Sequence, residues 1–228
     1  PFLEQRYEEA DRLYRASIAS GPRYAAARQW YAEFLAYRGR FPEALRETDL
    51  SSDLDPLGLV AAVAKGSIRY FARDFDGAIA QFRKVLQTDS DFMLAHYWLG
   101  RALLQKQDVA GAIESLKKAV ELSRSEPMTM TALALAHAAR GDQKQVARIA
   151  SELEAVSRDR YVSPYFLFKL ELARGREPEA LRMLQRSMVE RSFQVISANV
   201  DPELDRVRHK SDFSDSFARL QAGQTSSD

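Results

Sequence analysis

Six small residues, Ala10, Ala44, Ala78, Ala112, Val146 and Ala180, stand 34 positions apart without an insertion. A single strand or helix has no reason to repeat at that distance. A pair of antiparallel helices does, and helix pairs stacked on copies of themselves build a solenoid. Each unit then packs only on its neighbours, so the 228 residues need neither one large core nor a linker between domains.

Setting Gly39 at repeat position 15 divides the chain into units at 25–58, 59–92, 93–126, 127–160 and 161–194. Residues 1–24 become the second helix of a preceding unit. Position 20 is the small series above, and position 8 reads Ala32, Gly66, Gly100 and Ala134. Both must be small because two helices approach closely only where no large side chain stands at their crossing. Gly39, Gly141 and Gly175 share position 15, where a residue tolerant of positive φ ends the first helix. Pro42 and Pro178 share position 18, in the first turn of the second helix, where the missing N–H costs nothing. Pro22 and Pro56 share position 32 and stop the second helix.

The spacing predicts an all-α fold with two helices of about 13–14 residues per unit, near the ordinary helix length. Phe168 breaks the small pattern at position 8, so an altered crossing is expected in the last unit. After Arg191 the period lapses. Residues 195–221 are expected to form capping helices, one with Pro202 at its first position and one over 212–220 capped by Ser211, covering the last repeat's apolar face. Residues 222–228 are expected to be disordered. Because the chain opens at Pro1 and half-way through a unit, it reads as a piece of a longer polypeptide.

The chemistry-bearing residues form no catalytic set. The three histidines, His96, His137 and His209, lack metal-ligand spacing, and with no cysteine there is no thiol nucleophile or disulfide framework. Ser115 and Lys118 match S-x-x-K but fall in mid-helix, and acid pairs such as Asp53/Asp55 and Asp89/Asp91 sit at helix ends. No glycine-rich loop follows a strand. An enzyme, a metal and a cofactor are therefore not expected. The 33 basic and 32 acidic residues nearly cancel and form no block, which removes the electrostatic reason to bind nucleic acid or an anionic membrane. The longest apolar run, near 57–64, is far short of the roughly 20 residues that insert into a bilayer.

The register resembles the tetratricopeptide repeat. The unit from Leu94 to Ser123 carries Leu99–Gly100, Ala112, Leu116 and Ala119 at that family's signature positions, and its predecessor supplies Gly66, Tyr70, Phe75, Ala78 and Phe82. The resemblance runs over about residues 4–191 and implies a right-handed α-solenoid of 34-residue helix pairs with a C-terminal helical cap, acting by binding a protein or peptide. The YVSPY segment at 161–165 and the run from Asp201 to Phe213 are similar to the ends of such regions on bacterial winged-helix regulators, adenylate cyclases and serine/threonine kinases. That second resemblance implies the C-terminal scaffold or sensory region of a signalling protein, cytoplasmic or an extracytoplasmic part of a membrane-anchored regulator.

In this architecture the first helices line a concave groove. Its expected binding residues are Gln29, Glu33 and Tyr37; Val63, Ser67 and Tyr70; Tyr97, Arg101 and Leu104; Thr131 and Leu135; and Tyr165 and Lys169. Family members that grip the C-terminal carboxylate of heat-shock chaperones use several Lys, Asn and Arg here, whereas this groove has only Arg101 and Lys169, so that ligand is not expected. An apolar or amphipathic segment suits it better, with Trp30 and Trp98 nearby and Arg101 as an anchor for an acid. The same tyrosines and leucines also fit a purely structural role between repeats. Alternative readings are a stand-alone chaperone or assembly factor, and a homodimer through the flank around Tyr7, Leu13 and Tyr14.

Overall fold

The computed structural model describes residues 2–221, with side chains from 7 to 220; the expected disorder at 222–228 lies outside the described residues. A lone helix α1 (Phe2–Ser20) leads into five antiparallel pairs. These are α2 (Ala25–Tyr37) with α3 (Phe41–Leu54), α4 (Leu59–Phe71) with α5 (Phe75–Thr88), and α6 (Met93–Gln105) with α7 (Val109–Leu122). Then come α8 (Pro127–Ala139) with α9 (Gln143–Asp159), and α10 (Pro164–Ala173) with α11 (Glu177–Val189). No strand occurs among the described residues. The first helices α2, α4, α6, α8 and α10 contact one another in series and form one continuous face.

The repeat punctuation is a matter of backbone geometry. Position 15 has positive φ in every unit: 74°, 78° and 73° at Gly39, Gly141 and Gly175, but also 65° at Arg73 and 63° at Gln107. One position later, Asp74, Asp108 and Asp142 cap α5, α7 and α9 by accepting from the backbone N–H of Gly77, Gly111 and Gln145. The first and last units have Arg40 and Arg176 there and no side-chain cap, and those are the units in which Pro42 and Pro178 open the second helix. The two devices replace each other.

At the crossings, the small residues are small by necessity. A Cβ on Gly100 would lie 2.5 Å from Cγ of Leu116 and 3.0 Å from the backbone oxygen of Ala112, and one on Gly66 would run into the ring of Phe82. Ala44, Ala78, Ala112 and Ala180 are fully buried at the reciprocal position.

Toward the end of the stack the helix lengths depart from the 13–14-residue pattern. Helix α9 extends to 17 residues, α10 starts only at Pro164 and has 10, and α10 packs strongly on α8. Phe168 is fully buried, against Tyr165 and against Phe213 from the tail. The tail itself differs in detail from expectation. It forms a 3-10 turn at Phe193–Ser197, a second at Pro202–Leu204 running into the one-turn α12 (Asp205–Arg208), and α13 (Ser211–Gln221). Pro202 thus opens a 3-10 turn, since Asp201 accepts from the N–H of Glu203 and tightens the backbone there. Ser211 lies inside α13 and bonds Asp212, so it is not the cap. Val195, Leu204, Val207, Phe213, Phe217 and Leu220 join Phe168 and Leu184 in one apolar cluster that closes the end of the stack.

Candidate functional site

The concave face is not an open groove, because the tail crosses it. Residues Val200–Asp205 pass over the first helices, held at the α4 end by Arg73, which donates to the Val200 carbonyl at 3.2 Å and to both Asp205 oxygens at 2.8 and 3.0 Å. At the α10 end, Arg206 donates to the Leu172 carbonyl at 3.2 Å, and Arg208 ties the turn internally through the Ala198 and Asp201 carbonyls.

Between these ties lies a buried quartet of charges. The Arg101 Nη2 donates to both oxygens of Asp201 at 2.9 Å and its Nε to Glu203 at 2.7 Å. Lys169 pairs with Glu203 and, at 3.4 Å, with Asp201. All four side chains are 5% exposed or less. The phenols of Tyr70 and Tyr165 reach Asp201 at 3.4 Å, and Arg101 also donates to Tyr97 at 3.3 Å while its guanidinium sits 4.5 Å from the Trp98 ring. Burial alone would raise the Asp201 pKa, but Arg101 and Lys169 outweigh it and hold the carboxyl at about 2. Burial likewise works against charge on Lys169 and Arg101, and the two carboxylates outweigh it, so both cations keep their protons more firmly than usual.

Of the expected groove residues, Tyr70, Tyr97, Arg101, Tyr165 and Lys169 converge on this quartet. They face the chain's own tail, which corrects the expectation that they stand open to an outside segment: two cations on an otherwise apolar face require counter-charges, and Asp201 and Glu203 supply them. Val63 and Ser67 are also buried, Ser67 bonding the Ala64 carbonyl. Gln29 donates to Glu33 at 3.2 Å on the rim of α2; burial raises the Glu33 pKa and that hydrogen bond opposes it.

The crossing tail splits the remaining concave space. On the side nearer the N-terminal ends of α6, α8 and α10, a cavity of about 240 Å³ is lined by Tyr37, Phe71, Tyr97, Trp98 and Thr131, with Phe193 and Ile196 of the tail at its edge. On the other side, a hollow of about 540 Å³ is lined by Leu104, Leu135, Leu172, Pro202 and Glu203. Sequence reasoning missed the tail residues Asp201 and Glu203, while Phe71 falls among the first-helix positions expected to face the groove. The signal for the first two was present in the D-P-E spacing beside two unexplained groove cations. No group of His, Asp and Glu fit to hold a metal occurs among the described residues, and no described helix is long and apolar enough to cross a membrane.

A sequence profile described as Tetratricopeptide repeat matches residues 4–56 and 63–127, just over half of the chain. The chain belongs to the tetratricopeptide repeat family. Among curated relatives, Hsp70-Hsp90 organizing protein 2 of Arabidopsis thaliana is 31% identical over 88 residues, 39% of this chain, and the match spans only 15% of that relative. Among solved tetratricopeptide repeat folds, the Cut9 complex with Hcn1 superposes with a TM-score of 0.66 at 13% identity, covering 94% of this chain and 46% of that one. The tetratricopeptide repeat protein YrrB, whose structure is described as having an unusual peptide-binding site, superposes with a TM-score of 0.50 at 18% identity, covering 80% and 95%. These structural likenesses establish the solenoid. Membership makes the chain a scaffold of the kind that binds proteins or peptides.

Proposed function

We propose that this scaffold binds an apolar or amphipathic segment of another protein on the part of the concave face that the tail leaves open, between α2, α4, α6 and residues 193–197. The observation that carries it is the cavity beside the tail, whose wall includes Tyr37, Phe71, Tyr97 and Trp98; Tyr37 and Trp98 are partly buried, while Phe71 and Tyr97 show only their edges. Val60, 50% exposed at the start of α4, is a further exposed apolar residue on a first helix. Anchoring by a few aromatic contacts in a partly enclosed pocket is how helix-in-groove recognition gains most of its free energy. The relatives fit the reading: one is named for organising two chaperones and another for a peptide site.

Photo-crosslinking from Tyr37 and from Val60 tests it. Capture of one common partner segment from both positions, lost in Phe71→Ala with the fold intact, supports the groove; capture only from outside the concave face overturns it.

The finer context, the C-terminal arm of a bacterial transcriptional regulator or signalling protein, rests on the tail resemblance. The residues that carry it, Asp201, Glu203, Arg208 and Phe213, are the ones that dock the tail. The neighbouring coding sequence tests this: a winged-helix or cyclase domain in the same polypeptide is expected, and its absence removes the regulator context.

A further inference from the structure

The tip of the tail, residues 199–203, is held differently from its flanks. Val195 and Ala198 before the tip, and Leu204 and Val207 after it, are anchored in the apolar cluster that closes the end of the stack. Within the tip only Val200 belongs to the apolar core of the middle repeats, and the grip on α6 and α10 comes from the carboxylates of Asp201 and Glu203. Arg208 closes the base of the loop by donating to the Ala198 and Asp201 carbonyls at 3.0 Å, so the tip is tied to its own flanks as well as to the groove. Asp201 also accepts from the Glu203 N–H at 3.1 Å, a turn that aims both carboxylates, two residues apart, at the same two cations.

Permanent closure of the groove does not call for this chemistry. Well-packed apolar side chains stabilise a buried crossing as well as an ion pair does, or better, because each ion must give up its water. What the buried pair adds is selection. Arg101 and Lys169 penalise any segment that leaves them unpaired and accept one that brings two negative charges in this spacing. The tip also has space on both flanks: the cavity of about 240 Å³ borders Asp201, and the hollow of about 540 Å³ borders Pro202 and Glu203. A second chain can therefore approach the tip from either side and, with the tip withdrawn, lie across the same two cations.

We propose that Arg101 and Lys169 form a receptor for an acidic segment of a partner protein, carrying carboxylates at i and i+2 within a turn, and that residues 199–203 of the tail occupy this receptor as an internal ligand. The tip competes from within the same molecule, where linkage gives it a high effective concentration. An outside acidic segment therefore binds weakly while the tip is docked and more strongly once the tip is released. The apolar anchors on either side of the tip stay in place through the exchange. The receptor goes beyond the apolar groove and does not rest on it, since its ligand is recognised by charge and spacing rather than by the aromatic wall.

The probe is a labelled peptide of residues 197–206, capped at both ends so that no terminal carboxylate contributes, titrated against the full chain by fluorescence anisotropy. Its control is the same peptide with Asp201→Asn and Glu203→Gln. When those two changes are instead made in the chain, with the fold checked by circular dichroism, the acidic peptide should bind at least about tenfold more tightly than it does to the unaltered chain. The neutral peptide should show no such gain, and adding Arg101→Met to the chain should abolish it. Arg73→Ala, which cuts the tie to Val200 and Asp205 and leaves the quartet intact, should tighten binding of the acidic peptide by at least about threefold, and it decides the matter if the double variant does not fold. Equal affinity for the two peptides, no gain in either variant, or binding that survives Arg101→Met overturns the receptor. Dimerisation of Arg73→Ala that the acidic peptide competes away assigns the site to the tail of a second copy and overturns the outside partner. Crosslinking from Tyr37 and Val60 reports on the apolar groove separately.

Discussion

Asp201 concentrates the account at the scale of one residue. It receives Arg101, Lys169, Tyr70 and Tyr165 in a site with almost no solvent, so its removal leaves two buried cations short of charge. Asp201→Asn is expected to destabilise the protein by about 3–5 kcal/mol, read from denaturant unfolding, because breaking one side of a buried pair exposes the desolvation cost of the other. Its pKa, held at about 2 against an ordinary 3.8, is lower in the folded chain than in the unfolded one. The unfolded chain therefore binds more protons between those values, and the Asp201 contribution is full above about pH 4 and fades as pH falls toward 2. The acid limb of the stability profile should flatten in Asp201→Asn. A different residue tests the turn geometry. Gln107 sits at φ 63° where three other units use glycine, and its side chain holds nothing comparable to the Arg73 contacts with the tail. Gln107→Gly should stabilise by about 0.5–1 kcal/mol, the relief of left-handed strain less the added freedom of the unfolded chain. Arg73→Gly, at the same repeat position, should destabilise, because it removes the ties to Val200 and Asp205.

Element by element, the crossings and the tail answer to different physics. Gly100→Ala brings a helix-propensity gain of about 1 kcal/mol, yet the added methyl meets Leu116 and the Ala112 backbone, and overpacking of about 1–3 kcal/mol should make the melting temperature fall. Helix pairs, glycine turns and small crossings were legible in the sequence because each is enforced locally and repeated at a fixed spacing, as Gly66 and Gly100 illustrate. The caps at Asp74, Asp108 and Asp142 obey the same spacing, but they were not among the features read from it. The path of residues 193–208 was not legible, because it depends on contacts between residues a hundred or more positions apart, such as Arg101 with Asp201 and Arg73 with Asp205. Periodicity carries no information about such contacts. Arg101 and Lys169 were visible as groove cations, but an isolated cation points equally to a partner's acid or to one from its own chain. The cavity was half legible: Tyr37, Phe71, Tyr97 and Thr131 lay on the expected face, while the edge residues Phe193 and Ile196 gain their place only once the tail is down.

For the whole molecule, the tail converts a generic concave surface into two bounded spaces and joins the end of the stack to its middle. Contacts from α4 through α10 to α13 through one segment give the C-terminal half longer-range coupling than nearest-neighbour stacking provides, so it should unfold as one cooperative block. The measurement that bears most directly on this is a double-mutant cycle between Arg101→Met and Asp201→Leu, two residues 100 positions apart. A coupling of more than about 1.5 kcal/mol is expected, each single change being costly and the pair close to neutral. Additivity within about 0.5 kcal/mol would contradict the account, because it would mean that the tail does not lie in the groove.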